Sequence, residues 1–554
     1  MRSIALGIVL LTHSAFAVEN SLGHCLYLIK QRPQKAIELY RQRYRETEEH
    51  DYEIVRTMAT LLLQKASEAE DLETRMLATY GAGLSASNIA FSILEKSVES
   101  SDPNLQLVGI FFLAQMHDNP SRRALEKAAT SSPFLSTRAE ACYHLARRQE
   151  MHAASYIHAL MSYLPPFFRP FFPQFFAASG SKESNAALRQ LLQDTNALVR
   201  VQSILSVVQH QRDDFLPLIR RKASQRNLAE MEACAYALGA LADTASAPIL
   251  EMLANRSPMN VRIAALKSLY LLGDQSKAKD LELLALSHNA FAVQALVGVP
   301  GTEDTLYELV HTKNRQVHAN AVMALLAQKD PRACPHLIPL LIDKSKDLGF
   351  RMQSSIGGAQ SILKVVTLRP ESTEEGKKDR LVSNMIKEKL LRSAMRLPQT
   401  HFLSVIRALL KSADKTFVPC IMGLLKNLRT EPVLTLLKEQ AEALGSPLVR
   451  NYANLILFAL QEPGPYKERV YTWLGTIAKG ETVEIHPPLS LAERQGIDHY
   501  GLSAKEKSQL LLDTCNELLL RQDKCSLDRV LAAMETMQEK TRVALAGLLI
   551  RTTE

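Results

Sequence analysis

Apolar residues recur along this chain at helical spacing, and the helical pattern itself returns every 31 residues. Stepping from Arg138 by that period gives Arg169, Arg200, Met231 and Arg262. Seven residues further on in each unit stand Leu145, Phe176, Val207, Leu238 and Leu269. Nineteen further on stand Ile157, Leu188, Ile219, Leu250 and Leu281. Two apolar columns and a mostly arginine column thus run through five units. An earlier unit, Gln106, Leu113 and Leu125, fits with one residue of slippage.

A seven-residue spacing is two helical turns, so each first column marks one face of a helix. Polar breaks such as Arg212-Asp213-Asp214 and Gly273-Asp274-Gln275 precede the second apolar column. Each unit therefore reads as a helix hairpin. One hairpin cannot bury its apolar face alone, whereas stacked hairpins share a continuous core. The pattern predicts an all-α, right-handed solenoid of stacked hairpins with helical N-terminal and C-terminal caps. The array occupies 102–342, after N-terminal hairpins over 18–101. A helical segment with a polar loop at 368–380 follows over 343–400, then further hairpins over 401–478. An irregular linker at 479–502, with Pro487, Pro488 and three glycines, leads to a helical cap over 503–554.

The units resemble HEAT repeats of the short bacterial type, also called PBS-lyase HEAT-like. The residues that carry the resemblance are Asp194-Thr195-Asn196-Ala197-Leu198-Val199-Arg200 and Asn260-Val261-Arg262-Ile263-Ala264-Ala265-Leu266. Val317-His318-Ala319-Asn320-Ala321 and Leu448-Val449-Arg450-Asn451-Tyr452-Ala453 look like further copies, and the unit around Asn289 to Lys313 is shortened. Of the five regular units only Asp194 fills the family's acidic position, so an inter-repeat Asp–Arg ladder is not expected. The resemblance implies architecture, not activity. It also implies that second helices line the concave face. The column one residue past the second apolar one lies on those helices and reads His158, Arg189, Arg220, Glu251, Glu282. It is cationic at one end and anionic at the other, a row suited to a mixed-charge protein partner. Like charges side by side at Arg189 and Arg220 call for an external anion.

Composition changes this picture little. The chain has 554 residues, 46% of them hydrophobic and 22% charged, too apolar for disorder. Its formal charge of +8 is spread along the chain with no basic tail, so nucleic acid is not an expected partner. The first residues change it more. Met1-Arg2-Ser3 gives a positive start, Ile4 to Leu11 an uncharged run, and Ala15-Phe16-Ala17 an A-x-A site. That is the layout of a signal peptide over 1–17, with a mature start at Val18 and a periplasmic or extracellular destination. Leu22-Gly23-His24-Cys25 resembles a lipobox only vaguely. No stretch reaches the roughly 20 apolar residues of a membrane span.

The seven cysteines form no CxxC. Cys142 and Cys234 fall on first helices three repeats apart, beyond disulfide reach. Cys515 and Cys525 are the candidate pair. No catalytic, cofactor-binding or metal-binding set is expected. Gly81-Ala82-Gly83 lacks the preceding strand of a dinucleotide site. Ser361–Lys364 and Ser276–Lys279 have S-x-x-K spacing without companion motifs. The histidines do not cluster at ligand spacing.

Six of the 17 phenylalanines lie between Phe167 and Phe176. Phe172 and Phe176 fall on core positions, and Phe167, Phe168, Phe171 and Phe175 form a candidate hydrophobic docking segment for a partner or a peripheral membrane contact. The leading expectation is a non-enzymatic exported scaffold that binds protein partners. An intracellular assembly or transport scaffold with an uncleaved N-terminus, or a HEAT-like enzyme of the bilin-lyase or DNA-glycosylase kind, are the alternatives.

Overall fold

A computed structural model describes residues 22–342, 349–354, 364–369, 376–478, 480, 483–491 and 503–553. The expected signal peptide and Val18 lie outside these residues, as do Ser361 and most of the 479–502 linker. The described chain divides into two units. One holds residues up to Thr137, Val418–Pro488 and the segment from Gly501; the other holds Arg138–Phe417 and Leu489–Tyr500.

The second unit contains the clearest repeats. Its hairpins pair helix Ala197–Gln209 with Leu216–Ala223, Leu228–Ala240 with Ala247–Arg256, and Met259–Leu271 with Lys277–Leu286. The shortened hairpin follows as Ala290–Ala295 and Glu303–Leu309, then Arg315–Ala327 with Cys334–Ile342. Asparagine caps most of these first helices. Asn196 accepts from the Leu198 amide, Asn227 from Glu230, Asn289 from Phe291 and Asn314 from Gln316. Both apolar columns are buried at every position.

A further column ends the first helices. Gln149, Gly180, Gln211, Ala242 and Gly273 stand 31 residues apart and take φ of 57°, 62°, 53°, 54° and 112°. Each left-handed residue turns the chain out of one helix towards the next. First helices then pack closely on one another. At Gly239 a Cβ would stand 2.6 Å from Ser268 Cα, so the missing side chain permits the crossing of Leu228–Ala240 with Met259–Leu271. Ser268 Oγ donates to the Ala235 carbonyl at 2.7 Å across it.

Residues 343–400 depart from the helical expectation. Gly349–Ser354 and Lys364–Arg369 pair as an antiparallel β-hairpin, with Gly349 opposite Arg369 and Ser354 opposite Lys364. The β-branched Val365-Val366-Thr367 favours strand over helix. Of the loop expected at 368–380, Leu368 and Arg369 belong to the second strand and helix Gly376–Ala394 begins inside it, while 370–375 lie outside the described residues.

In the first unit, sequence-distant helices meet. Helix Glu539–Thr553 packs on Tyr52–Ser67 and Leu72–Ser85, and Lys524–Thr536 packs on Pro33–Thr47. Arg41 bridges to Asp528 at 2.8 Å and Glu535 at 2.6 Å, and Lys540 to Asp71 at 3.1 Å. The buried Arg542 donates to the carbonyls of Met534 and Met537 at 2.8 and 2.7 Å. The N-terminal hairpins and the C-terminal block therefore cap each other.

All seven cysteines are free thiols, so Cys515 and Cys525 are not bonded. Cys515 is buried and Cys525 exposed, which separates their environments. Burial pushes the Cys515 thiol up to about 12.

Candidate interaction surface

The predicted charge row lies on the second helices, and its charges are met within the array. Arg189 reaches Asp214 at 3.9 Å and lies over the Phe215 ring at 5.1 Å. Arg220 grips Asp243 through Nε at 2.6 Å and through Nη2. Glu251 pairs with Lys277 at 3.0 Å, and Glu282 accepts from Thr305 Oγ1 at 2.7 Å. The His158 ring lies 4.8 Å from Phe176, tilted by 51°. From Arg189 to Glu282 each residue thus reaches the start of the next hairpin's second helix. The expectation that an external anion offsets Arg189 and Arg220 is corrected: Asp214 and Asp243, absent from the column itself, supply the charge. The row joins consecutive repeats. The first helices of successive hairpins pack closely on one another in this unit.

A second set of struts joins the first helices. Arg200 bonds the Asp194 and Thr195 carbonyls at 2.6 and 2.9 Å and also pairs with the buried Glu230, which lies 3.6 Å from Lys222 Nζ. Arg169 reaches Asp194 at 3.4 Å. Arg–carboxylate links between repeats therefore exist, although only Asp194 fills the expected acidic position and Glu230 lies at another offset.

The phenylalanine segment divides. Phe172, Phe175 and Phe176 are buried, so Phe175 belongs to the core and is removed from the docking set. Phe175 contacts the Tyr143 ring at 5.7 Å. Phe167 and Phe171 are exposed and Phe168 is half-buried, all on the 3-10 turn Pro166–Phe171. Pro165, Pro166 and Pro170 restrict this turn. Tyr163, also exposed, lies beneath the Arg138 guanidinium at 5.5 Å.

Phe167 begins a row that sequence reasoning missed. Leu198, Leu228 and Met259 occupy the first turns of successive first helices, at intervals of 31, 30 and 31 residues. Phe167 is 69% exposed, Leu198 40%, Leu228 51% and Met259 42%. A large apolar side chain therefore faces solvent once per repeat at the edge where one hairpin connects to the next. The signal was a periodic apolar position outside both core columns.

Three histidines also meet despite their separation in sequence. The His336 ring lies 5.1 Å from His311 and 5.7 Å from His318. Burial and its two neighbours hold His336 below the ordinary histidine range. Among the described residues, no group of three His, Cys, Asp or Glu is placed to hold a metal ion, and no helix is long and apolar enough to cross a membrane.

His210 closes the first helix Ala197–Gln209, and burial, aided by Arg147 and Arg212, lowers its pKa to about 4. The unfolded chain takes up this proton near pH 6.5, while the folded chain refuses it until about pH 4. Stability should therefore fall as pH drops through that window, by about 1–3 kcal/mol from this group. Denaturation at several pH values should show a shallower loss for His210→Gln. An unchanged slope would assign the acid sensitivity to other groups.

No family model and no curated protein matches this chain. Among solved structures, the karyopherin Kap121p bound to Pho4p is similar at 12% identity over 95% of this chain and 64% of the karyopherin, with a TM-score of 0.40. The CpcE–CpcF complex of phycocyanin lyase from Nostoc sp. PCC7120 shares 17% identity over 39% of this chain and 92% of that chain, with a TM-score of 0.29. Human deoxyhypusine hydroxylase shares 16% over 47% and 98%, with a TM-score of 0.20. At these scores the fold assignment rests on the chain's own geometry: buried columns and left-handed turns at a 31-residue period, with stacked first helices. The chain has an all-α repeat fold, with helix hairpins stacked at a 31-residue period.

Proposed function

We propose that this protein is a non-enzymatic scaffold that works after export, periplasmic or extracellular, and binds protein partners through its repeat surface. The observation that carries the reading is the exposed apolar row Phe167, Leu198, Leu228 and Met259. Isolated exposed leucines are ordinary, but a large apolar side chain once per repeat marks a contact edge. The struts at Arg200–Glu230 and Arg220–Asp243 support this use, because they hold neighbouring repeats in register. A surface that is already ordered loses less entropy on binding.

Two measurements test the reading. Mass spectrometry of the protein from its native host should find a chain starting at Val18 in the exported fraction; intact Met1 in the cytosol overturns the location. A photo-crosslinking residue at Leu228 should capture one protein in near-stoichiometric yield, and the same probe at the exposed Leu271 should not. Equal, diffuse capture at both positions overturns the scaffold role of this edge.

A further inference from the structure

We propose that the edge formed by the inter-hairpin connections between residues 164 and 262 binds an acidic, amphipathic polypeptide segment. This rests on the scaffold reading and names the chemistry of its partner.

The two edges of this array differ in charge. The inter-hairpin connections, 164–172, 192–196, 224–227 and 257–258, contain a single acidic residue, Asp194. Its side chain is 11% exposed and lies against Arg169, which is 48% exposed. The turns within hairpins instead carry Asp213, Asp214, Asp243 and Asp274. Beside the apolar row, Arg226 and Arg262 are exposed, and no carboxylate pairs with either among the described residues. The edge thus presents cations and apolar side chains together, with its one carboxylate covered.

Geometry selects the shape of the ligand. Stacked helices lie about 10 Å apart, so the row presents an apolar contact at about that interval. Seven residues of α-helix advance about 10.5 Å, and three residues of an extended polyproline II helix about 9 Å, and both return a side chain to nearly the same face. A polypeptide with an apolar side chain at either spacing, and carboxylates between, matches the row repeat by repeat. The apolar contacts form one line, which suits a linear segment better than the plane of a membrane.

The test uses the full chain and fluorescent model peptides of about four heptads. One carries leucine at every seventh position with glutamates between, and its twin carries lysines instead. An extended acidic peptide with leucine every third residue covers the other spacing. At least one acidic peptide should bind about tenfold or more tighter than the lysine peptide, in a salt-dependent way. Leu198→Ser with Leu228→Ser should weaken it about tenfold or more, and Arg226→Glu with Arg262→Glu should do so while flattening the salt dependence. Leu271→Ser should leave binding unchanged. These are surface positions, and circular dichroism checks that each variant folds.

Equal affinity for acidic and basic peptides, or variants that bind as the parent does, overturns the proposal. So does residue-dependent binding to phosphatidylglycerol-containing vesicles without peptide binding, which makes the edge a membrane contact. If crosslinking at Leu228 still captures a defined protein while all peptide arms fail, the acidic-segment proposal falls and the scaffold reading stands. Failure of both removes both.

Discussion

Gly547→Ala should destabilise the first unit by about 3 kcal/mol or more, although it adds only a methyl group. Gly547 lies in helix Glu539–Thr553 where that helix crosses Leu72–Ser85. A Cβ there would overlap the carbonyl oxygen of Gly81 and stand 2.9 Å from its Cα. Both obstructing atoms are backbone, so no side chain can rotate away. The helices must separate, and the contact between the chain's N-terminal and C-terminal helices opens. The buried Arg542 and the Lys540 bridge to Asp71 lie on the helix that would shift. Gly423→Ala is the control with the opposite sign. It lies in helix Val418–Leu428 of the same unit, and a Cβ added there would have nothing within 4 Å. Helix propensity alone should stabilise it by about 0.5–1 kcal/mol. Urea denaturation of both variants measures the contrast. A Gly547→Ala protein as stable as its parent would show that this close crossing does not hold in solution.

The repeat was legible because burial imposes a period. Leu145, Phe176, Val207, Leu238 and Leu269 must be apolar to fill the same place in successive hairpins, and all are buried. The left-handed column was harder to see. Only Gly180 and Gly273 are glycines there, while Gln149, Gln211 and Ala242 adopt the same conformation. The two glycines stand three periods apart, and that spacing was the available signal. The closure of N-terminal on C-terminal helices left no local mark, because Arg41 and Asp528 obey no spacing rule. The β-hairpin was hidden by its surroundings: Val365-Val366-Thr367 is short and lies between helices.

The candidate surface was legible only in part. The row from His158 to Glu282 was found as a column, but a column gives register and not pairing. Asp214 and Asp243 sit in turns at other offsets, so the internal partners of Arg189 and Arg220 were invisible. The phenylalanine cluster showed its composition, while the turn Pro166–Phe171 decided which rings face out. Phe175 went inward because helix Pro173–Ser179 starts immediately before it and rotates it towards Tyr143.

Leu238→Ala should cost about 2–5 kcal/mol, and Met231→Arg on the same helix should cost far less. Leu238 is fully buried in helix Leu228–Ala240, which packs against the first helices on both sides. Truncation leaves a cavity between three repeats that cannot collapse without moving backbone. The neighbouring Gly239 already sets the closest approach to Ser268, so little relaxation is available. Met231 is only half-buried and occupies the column where Arg200 and Arg262 stand in adjacent repeats. An arginine there can lay its stem along the helix and keep its guanidinium in water. The two substitutions thus separate the core column from the ridge column within one hairpin. Guanidinium denaturation of each variant reads the difference as a shift in midpoint. Equal damage from both would mean that the columns are misaligned and that Met231, like Leu238, faces the packed interior.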